Sequence, residues 1–504
     1  VILTIDLGTS VTKAALWDRT GLVALAGAPV DTAHPAPGWA EQDPSAWWKS
    51  VVGACAQVRQ GAPDGFASVE VVGCTGARQT FAMVDGAGVA LGPGIVWSDR
   101  RAGAEAAALA ADGGGAPGPA PLTTVPVDAA SVAAKLAWLA THQRRRLEAS
   151  AWILTPRDLV VWQLTGEVAT DPTMASRSGL YDADGEVVDA LVAPTGARRL
   201  PPVVPSDRVT GGLTAPSAAV LGLAEGTPVV IGAGDRACEV LGSGASGHCP
   251  MVSWGTTANV SVPVDALPEP PPGAVLSRAA GPGWLIECGL SAAGSFVDWL
   301  GALTSSTSAE LAARALHSPP GARGVVATPW LDGARAPWWR PEAGAAFVGL
   351  TSAHGPDDLA RAIFESVAWE VRRCLATIAD RRPPGAAVVE LALGGAGAGI
   401  PVWIDVLTGV TGLPARRRRS GQAACAGAAL LAARAVGIEC QLDRLDPLDP
   451  PVEPDPSVTD RYAALSNHAE RTAVAVLELD RWPASTVTDP LSDPPPTPGR
   501  QPCT

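Results

Sequence analysis

The chain has 504 residues, 47% hydrophobic and 17% charged, with a net charge of −13. That length supplies two or three domains with full cores, and the acidic balance excludes an overall basic footprint for nucleic acid. No apolar run reaches the ~18 residues of a membrane-spanning helix. The nine cysteines have no metal-ligand spacing, so buried free thiols in a reducing, cytoplasmic setting are expected. The chain opens in a strand without a basic leader or an initiator Met. No signal peptide is expected, and there is room for a few residues ahead of Val1.

Val1 to Ile5 is apolar and β-branched, as a buried strand requires, and Val11 to Leu16 returns. Between them lie Asp6, Gly8, Thr9 and Ser10. Gly8 lets backbone N–H groups approach an anion, and the two hydroxyls add donors. A carboxylate at a strand end suits a hydrated divalent cation. The same residues also fit an ordinary hairpin with a polar tip. Next, Gly38 to Pro44 is either a substrate lip or the entry to a helix from Ser45.

Val69 to Gly76 reads as a buried strand, and Ile95 to Arg101 ends another strand in polar groups. Open α/β sheets place ligands just past strand C-termini. Arg78, Gln79, Trp97 and Asp99 are therefore ligand candidates, with an internal Arg78–Asp99 ion pair as the alternative. Residues 102–121 read as a helix end and a loose loop. Ser131 to His142 has helical spacing, with Arg144 to Arg146 at its solvated end. Thr155 caps a helix running to Leu164. The Ser/Thr-rich run from Thr170 to Asp182 reads as a surface loop.

Val229 to Ile231 leads into Gly232-Ala233-Gly234-Asp235-Arg236. An acid straight after such a turn is placed to act as a general base. It is equally placed to cap the helix that follows. Met251 to Val260 then repeats the opening pattern, with Gly255-Thr256-Thr257 echoing Gly8-Thr9-Ser10. Two such hairpins indicate a duplicated fold with a boundary near residue 243.

Residues 357–378 form an amphipathic helix. Val388 to Leu393 is a strand ending in the glycine run 394–399. That run fails the Gly-x-Gly-x-x-Gly spacing, because Ile400 stands at the last position. Arg416 to Arg419 form a solvated face or reach a phosphate. Residues 422–429 are a small-residue helix suited to close packing. A last helix is expected over 459–480, and residues 484–504 are expected to be disordered.

Taken in order, Asp6-Leu7-Gly8-Thr9-Ser10, Gly38 to Pro44, Trp97 to Arg101, Gly234-Asp235, Gly255-Thr256-Thr257, Gly333-x-Arg335-x-Pro337, Phe347-x-Gly349-Leu350 and Gly394-Gly395-Ala396 resemble the FGGY carbohydrate kinases. The resemblance covers about residues 1–440. It implies an α/β chain with the duplicated, two-domain actin/hexokinase-like (ribonuclease H-like) ATPase fold. Domains are expected over 1–242 and 243–480, ahead of a Pro-rich tail over 481–504.

The resemblance implies ATP and Mg²⁺ as cofactors and Asp235 as catalytic base. It places Gly8, Thr9, Ser10 and Thr12 on the first phosphate hairpin, and Gly255 and Thr256 on the second. Gly394, Gly395 and Ala396 become the adenosine loop, and Asp6 holds the metal through water. Arg78, Gln79, Trp97, Asp235 and Arg236 fall at the substrate. Xylulokinase-like members carry Gln-Met-His in the substrate loop and glycerol kinases Gln-Arg-Glu. Here Ala77-Arg78-Gln79 lacks the acid, and Arg236 stands where Asn or Gln is usual, either favouring an acidic sugar or pairing with Asp99 or Glu239. A xylulose-like ketopentose is the leading expected substrate. Glycerol, another polyol, a sugar acid or a silent sugar-binding role are the alternatives. The expected partner is that small molecule, without nucleic acid or membrane, and a homodimer is compatible.

Overall fold

The computed structural model describes residues 1–111, 123–192, 200–380 and 387–479. The end of the loop expected before residue 122 and the expected disordered tail lie outside the described residues.

Two six-stranded sheets organise the chain. The first is built from β1 (Ile2–Leu7), β2 (Val11–Asp18), β3 (Gly21–Pro29), β4 (Val71–Gly76), β5 (Val209–Gly212) and β6 (Pro228–Val230), in the order β3-β2-β1-β4-β6-β5. The second holds β7 (Met251–Trp254), β8 (Ala258–Val264), β9 (Val275–Arg278), β10 (Trp284–Leu290), β11 (Leu391–Gly394) and β12 (Ala415–Arg417), in the order β9-β10-β8-β7-β11-β12. In each, a hairpin's first strand (β1 or β7) pairs antiparallel with its return. On its other edge it pairs parallel with a strand much later in the chain. That shared plan is the duplication expected from the two Gly-Thr tips.

Both faces of the first sheet are covered, so β1 is apolar nearly throughout. Leu3, Ile5 and Leu7 pack with Trp47, Val51 and Cys55 of the helix Pro44–Gly61. Ile2, Ala15 and Trp17 pack with Cys425, Ala426 and Ala429 of the helix Ala423–Ala435. The small-residue helix thus lies against the first sheet and against the helix Asp235–Ser243. A Cβ on Gly427 would fall 2.0 Å from the Cys238 carbonyl oxygen, and one on Gly242 would fall 1.9 Å from that of Ala423. Two helix backbones meet there with room only for hydrogen.

The polar run Thr170–Asp182 is not a surface loop. It contains the helix Pro172–Arg177, capped by Asp171, whose side chain is fully buried. Arg157 Nη1 donates to Asp171 Oδ1 at 2.7 Å, and its Nη2 donates to Asp158 Oδ1 at 2.6 Å. Charges that neutralise one another are buried together, which composition alone does not reveal. The four arginines 416–419 pair with Glu390, Asp449 and Asp443, and apart from the buried Arg418 they do so on a solvated face, one of the two expectations.

Candidate active site

The hairpin β1–β2 turns at Gly8-Thr9-Ser10, where a Cβ on Gly8 would fall 2.7 Å from the Val11 carbonyl oxygen. The tip is braced from outside. Trp97 Nε1 donates to Thr9 Oγ1 at 3.0 Å, and Gln42 Nε2 donates to the Thr9 carbonyl at 2.6 Å. The stretch from Gly38 therefore supports the tip, and Asp43 caps the helix behind it. Thr12 stands apart from the other hairpin residues. It is 1% exposed and accepts from Ser50 Oγ at 2.7 Å. Its hydroxyl braces the hairpin against a helix and faces away from the cleft.

Asp6 faces Lys13 across β1 and β2, and its Oδ1 is sealed from solvent without a hydrogen-bond partner. Burial raises its pKa, Lys13 opposes that, and Asp235 and Glu239 add to it, leaving it at about 7.

Asp235 opens the helix Asp235–Ser243, but Gly234 holds the cap position. The Asp235 side chain is 43% exposed. It accepts from the Arg236 N–H at 2.6 Å and lies 3.5 Å from Arg78 Nε. A buried network fixes the turn before it. Thr173 Oγ1 donates to Asp171 Oδ2 at 2.8 Å and accepts from the Gly234 N–H at 2.7 Å. Arg157 Nη1 donates to the Gly232 carbonyl at 3.0 Å. Gly232 has φ +69°, and a Cβ there would collide with the Cys74 carbonyl oxygen.

Asp235 opens into a cleft of about 280 Å³ between the two halves. Thr9, Arg78, Gln79, Trp97 and Arg236 line it from one side, with Thr257, Asn259, Glu287 and Arg335 from the other. Gly255 and Thr256 stand exposed at the second tip. Beside them, Gly395 has φ +74° and its α-carbon presses on Trp254, where a Cβ would fall 2.1 Å from the carbonyl oxygen. Gly394 abuts Glu239, and Ala396 starts a 3-10 turn. The glycine run thus serves close packing on the second hairpin.

Asp99 departs from expectation. It is fully buried, accepts from the Ala40 N–H at 2.6 Å and pairs with Arg101 at 2.7 Å. It contacts neither the cleft nor Arg78. Arg78 instead places two N–H groups on the two oxygens of Glu287, each at 2.7 Å. Arg236 pairs with Glu239 at 2.5 Å, and Glu239 also accepts from Ser253 at 2.7 Å.

Sequence reasoning missed three residues at the site, Lys135, Arg177 and Glu287, whereas the Arg236–Glu239 pair is one of the two pairings expected of Arg236. Lys135 is fully buried, and its Nζ donates to the Val96 carbonyl at 2.8 Å and to those of Gln79 and Trp97 at 3.4 Å. A lysine inside an apolar helix face is the signal that would have found it, since such residues are almost never buried without a task.

Residues 1–242 match the N-terminal domain of the FGGY family of carbohydrate kinases, and residues 251–436 match its C-terminal domain. The xylulose kinase of Escherichia coli (strain K12) is 30% identical over 475 residues, 92% of this chain and 96% of that one. The glycerol kinase of Gloeobacter violaceus is 31% identical over 458 residues, 86% of this chain and 88% of that one. Among solved structures, the xylulose kinase from Rhodospirillum rubrum superposes with a TM-score of 0.84 at 29% identity, covering 94% of this chain and 98% of its own. The two matched domains, the duplicated sheets and these relatives agree: the chain belongs to the FGGY family of carbohydrate kinases.

Proposed function

We propose that the chain transfers the γ-phosphoryl group of ATP to a hydroxyl of a small sugar or polyol, with Asp235 as general base. The observation that carries this reading is the open carboxylate of Asp235, held at a helix start in a cleft between two Gly-Thr hairpin tips. A xylulose-like ketopentose is the leading candidate, with the xylulose kinase relatives in its support, and the glycerol kinase relatives support a shorter polyol as the alternative.

In this reading the tips of both hairpins hold the phosphate oxygens through backbone N–H groups and through Thr9, Ser10 and Thr256. Gly394 to Ala396 border the nucleoside. Asp235 accepts the proton of the attacking hydroxyl as its oxygen bonds to the γ-phosphorus. The bond from that phosphorus to the β–γ bridging oxygen breaks, and ADP leaves. The transition state is loose, so most of the rate comes from positioning and charge neutralisation. Asp6 suits a hydrated Mg²⁺, because its unpartnered Oδ1 lacks only a cation or its water. When bound, that ion offsets charge on the phosphates.

A coupled ADP-release assay over ketopentoses, pentitols, glycerol and sugar acids tests the reading. Saturable, sugar-dependent ADP release is expected. Sugar binding without any turnover would instead mark a silent binding protein.

A further inference from the structure

The sugar end of the cleft holds positive charge that the reaction at Asp235 does not use. Two of its arginines are already matched: Arg78 by Glu287 and Arg236 by Glu239. Arg100 is exposed and donates to the Trp97 carbonyl at 3.3 Å. The Asp128 carboxylate accepts from the backbone N–H groups of Ala130 and Ser131 at 2.9 and 3.0 Å. Arg177 and Arg335 are left.

Among the described residues Arg177 has one hydrogen bond, from Nη2 to Gln79 Oε1 at 3.2 Å, and that partner is a neutral amide. Its Nε is sealed from solvent and unpartnered. Burial pulls its pKa down to about 10, Glu287 and Asp128 oppose that, and the charges of Arg78 and Arg335 add to it. The Arg335 guanidinium lies over Gly289, 3.5 Å from where a Cβ would stand. It makes no side-chain hydrogen bond or ion pair among the described residues. Burial lowers its pKa as well. Glu287 and Asp128 line the same cleft and offset part of this charge, but among the described residues neither hydrogen-bonds Arg177 or Arg335, so both guanidinium groups keep donors for an incoming anion. Sugar hydroxyls accept hydrogen bonds from them but return no charge. A carboxylate does both, and its two oxygens match the guanidinium fork.

We infer that the substrate is a carboxylate-bearing polyol, a sugar acid, seated with its carboxylate toward Arg177 and Arg335 and its reacting hydroxyl at Asp235. The inference rests on the kinase reading and names the substrate class of that site. The carboxylate takes no part in the transfer. Gln79 sets the preference, because an acid at that position would neutralise Arg177 from within the protein.

The test compares matched neutral and acidic substrates of equal carbon number, such as glycerol with glycerate and xylitol with xylonate. It uses the full chain with ATP and Mg²⁺, and reads ADP release and melting temperature. The best acid is expected to exceed its neutral counterpart in kcat/KM by at least about tenfold. Arg177→Met should raise the KM of the acid at least about tenfold more than that of its neutral counterpart. Gln79→Glu, which keeps the side chain's shape, should erase the acid preference and so remains informative if Arg177→Met is unstable. Turnover of neutral sugars with acids inert overturns the inference and leaves the kinase reading standing. Acids that raise the melting temperature without turnover support the substrate class and sink the kinase reading. Neither turnover nor stabilisation by any compound overturns both.

Discussion

Arg78 and Glu287 meet across the two halves of the chain, two N–H groups on two oxygens, with Ser277 donating to the same carboxylate. Burial pushes the Glu287 pKa up, but Arg78 overrides it and holds the carboxyl well below the usual range. A depressed carboxylate pKa contributes stability that is present above its ordinary 4.5 and is lost only as pH falls through the folded value. The same guanidinium lies 3.5 Å from Asp235. Glu287→Gln therefore leaves Arg78 drawn toward Asp235. We expect a loss of about 3–5 kcal/mol, the usual cost of breaking a buried pair. A sugar KM raised by about tenfold should accompany it. Denaturant unfolding and steady-state kinetics read the two effects, and an unchanged KM would show that the pair only ties the halves together.

Asp6 has the opposite sign. Its folded pKa of about 7 lies above the ordinary 3.8. Between those values the folded state binds a proton that the unfolded chain does not, so stability falls as pH rises and the penalty is complete above about 7. At about 1.4 kcal/mol per pKa unit the ceiling is about 4 kcal/mol. Asp6→Asn should raise the melting temperature of the nucleotide-free protein at pH 8, change it little below pH 4, and lose Mg²⁺-dependent activity. Equal melting curves at pH 8 would remove the burial argument.

Lys135 ties the carbonyls of Gln79, Val96 and Trp97, which belong to two segments that line the cleft. Lys135→Met keeps the length and deletes the donors. Each buried carbonyl left unpaired costs about 1–3 kcal/mol. The sugar KM should rise by about tenfold while the ATP KM holds. A matched rise in both constants would point to general loosening.

Gly242→Ala places a methyl 1.9 Å from a backbone oxygen, so the Asp235 helix must shift. A melting temperature lowered by overpacking of about 1–3 kcal/mol or more is expected, with a fall in kcat. Wild-type kcat in a destabilised variant would show that Asp235 is positioned independently of this crossing.

Where chemistry and partner lie close in the chain, the sequence was readable. The two hairpins announce themselves as small polar tips between apolar strands, and Asp235 follows its strand directly. Partners distant in sequence left no such trace: Arg78 and Glu287 are 209 residues apart. Asp99 was read from its place at a strand end, where a ligand contact and an inward pair with Arg101 look alike. The run 170–182 was read as surface because composition counts polar groups and does not show that Asp171 meets Arg157. Thr12 differs from Thr9 only by the strand alternation that turns it toward Ser50.

The proposed reaction turns on Asp235 taking the proton of the attacking hydroxyl. Asp235→Asn keeps the size and the Arg236 N–H contact, so the fold should stand, as circular dichroism and the melting temperature would report. General-base help is worth about 10²–10⁴-fold, and kcat should fall by at least about 10². A kcat within a few fold of the wild type, with the fold intact, would show that Asp235 is not the base.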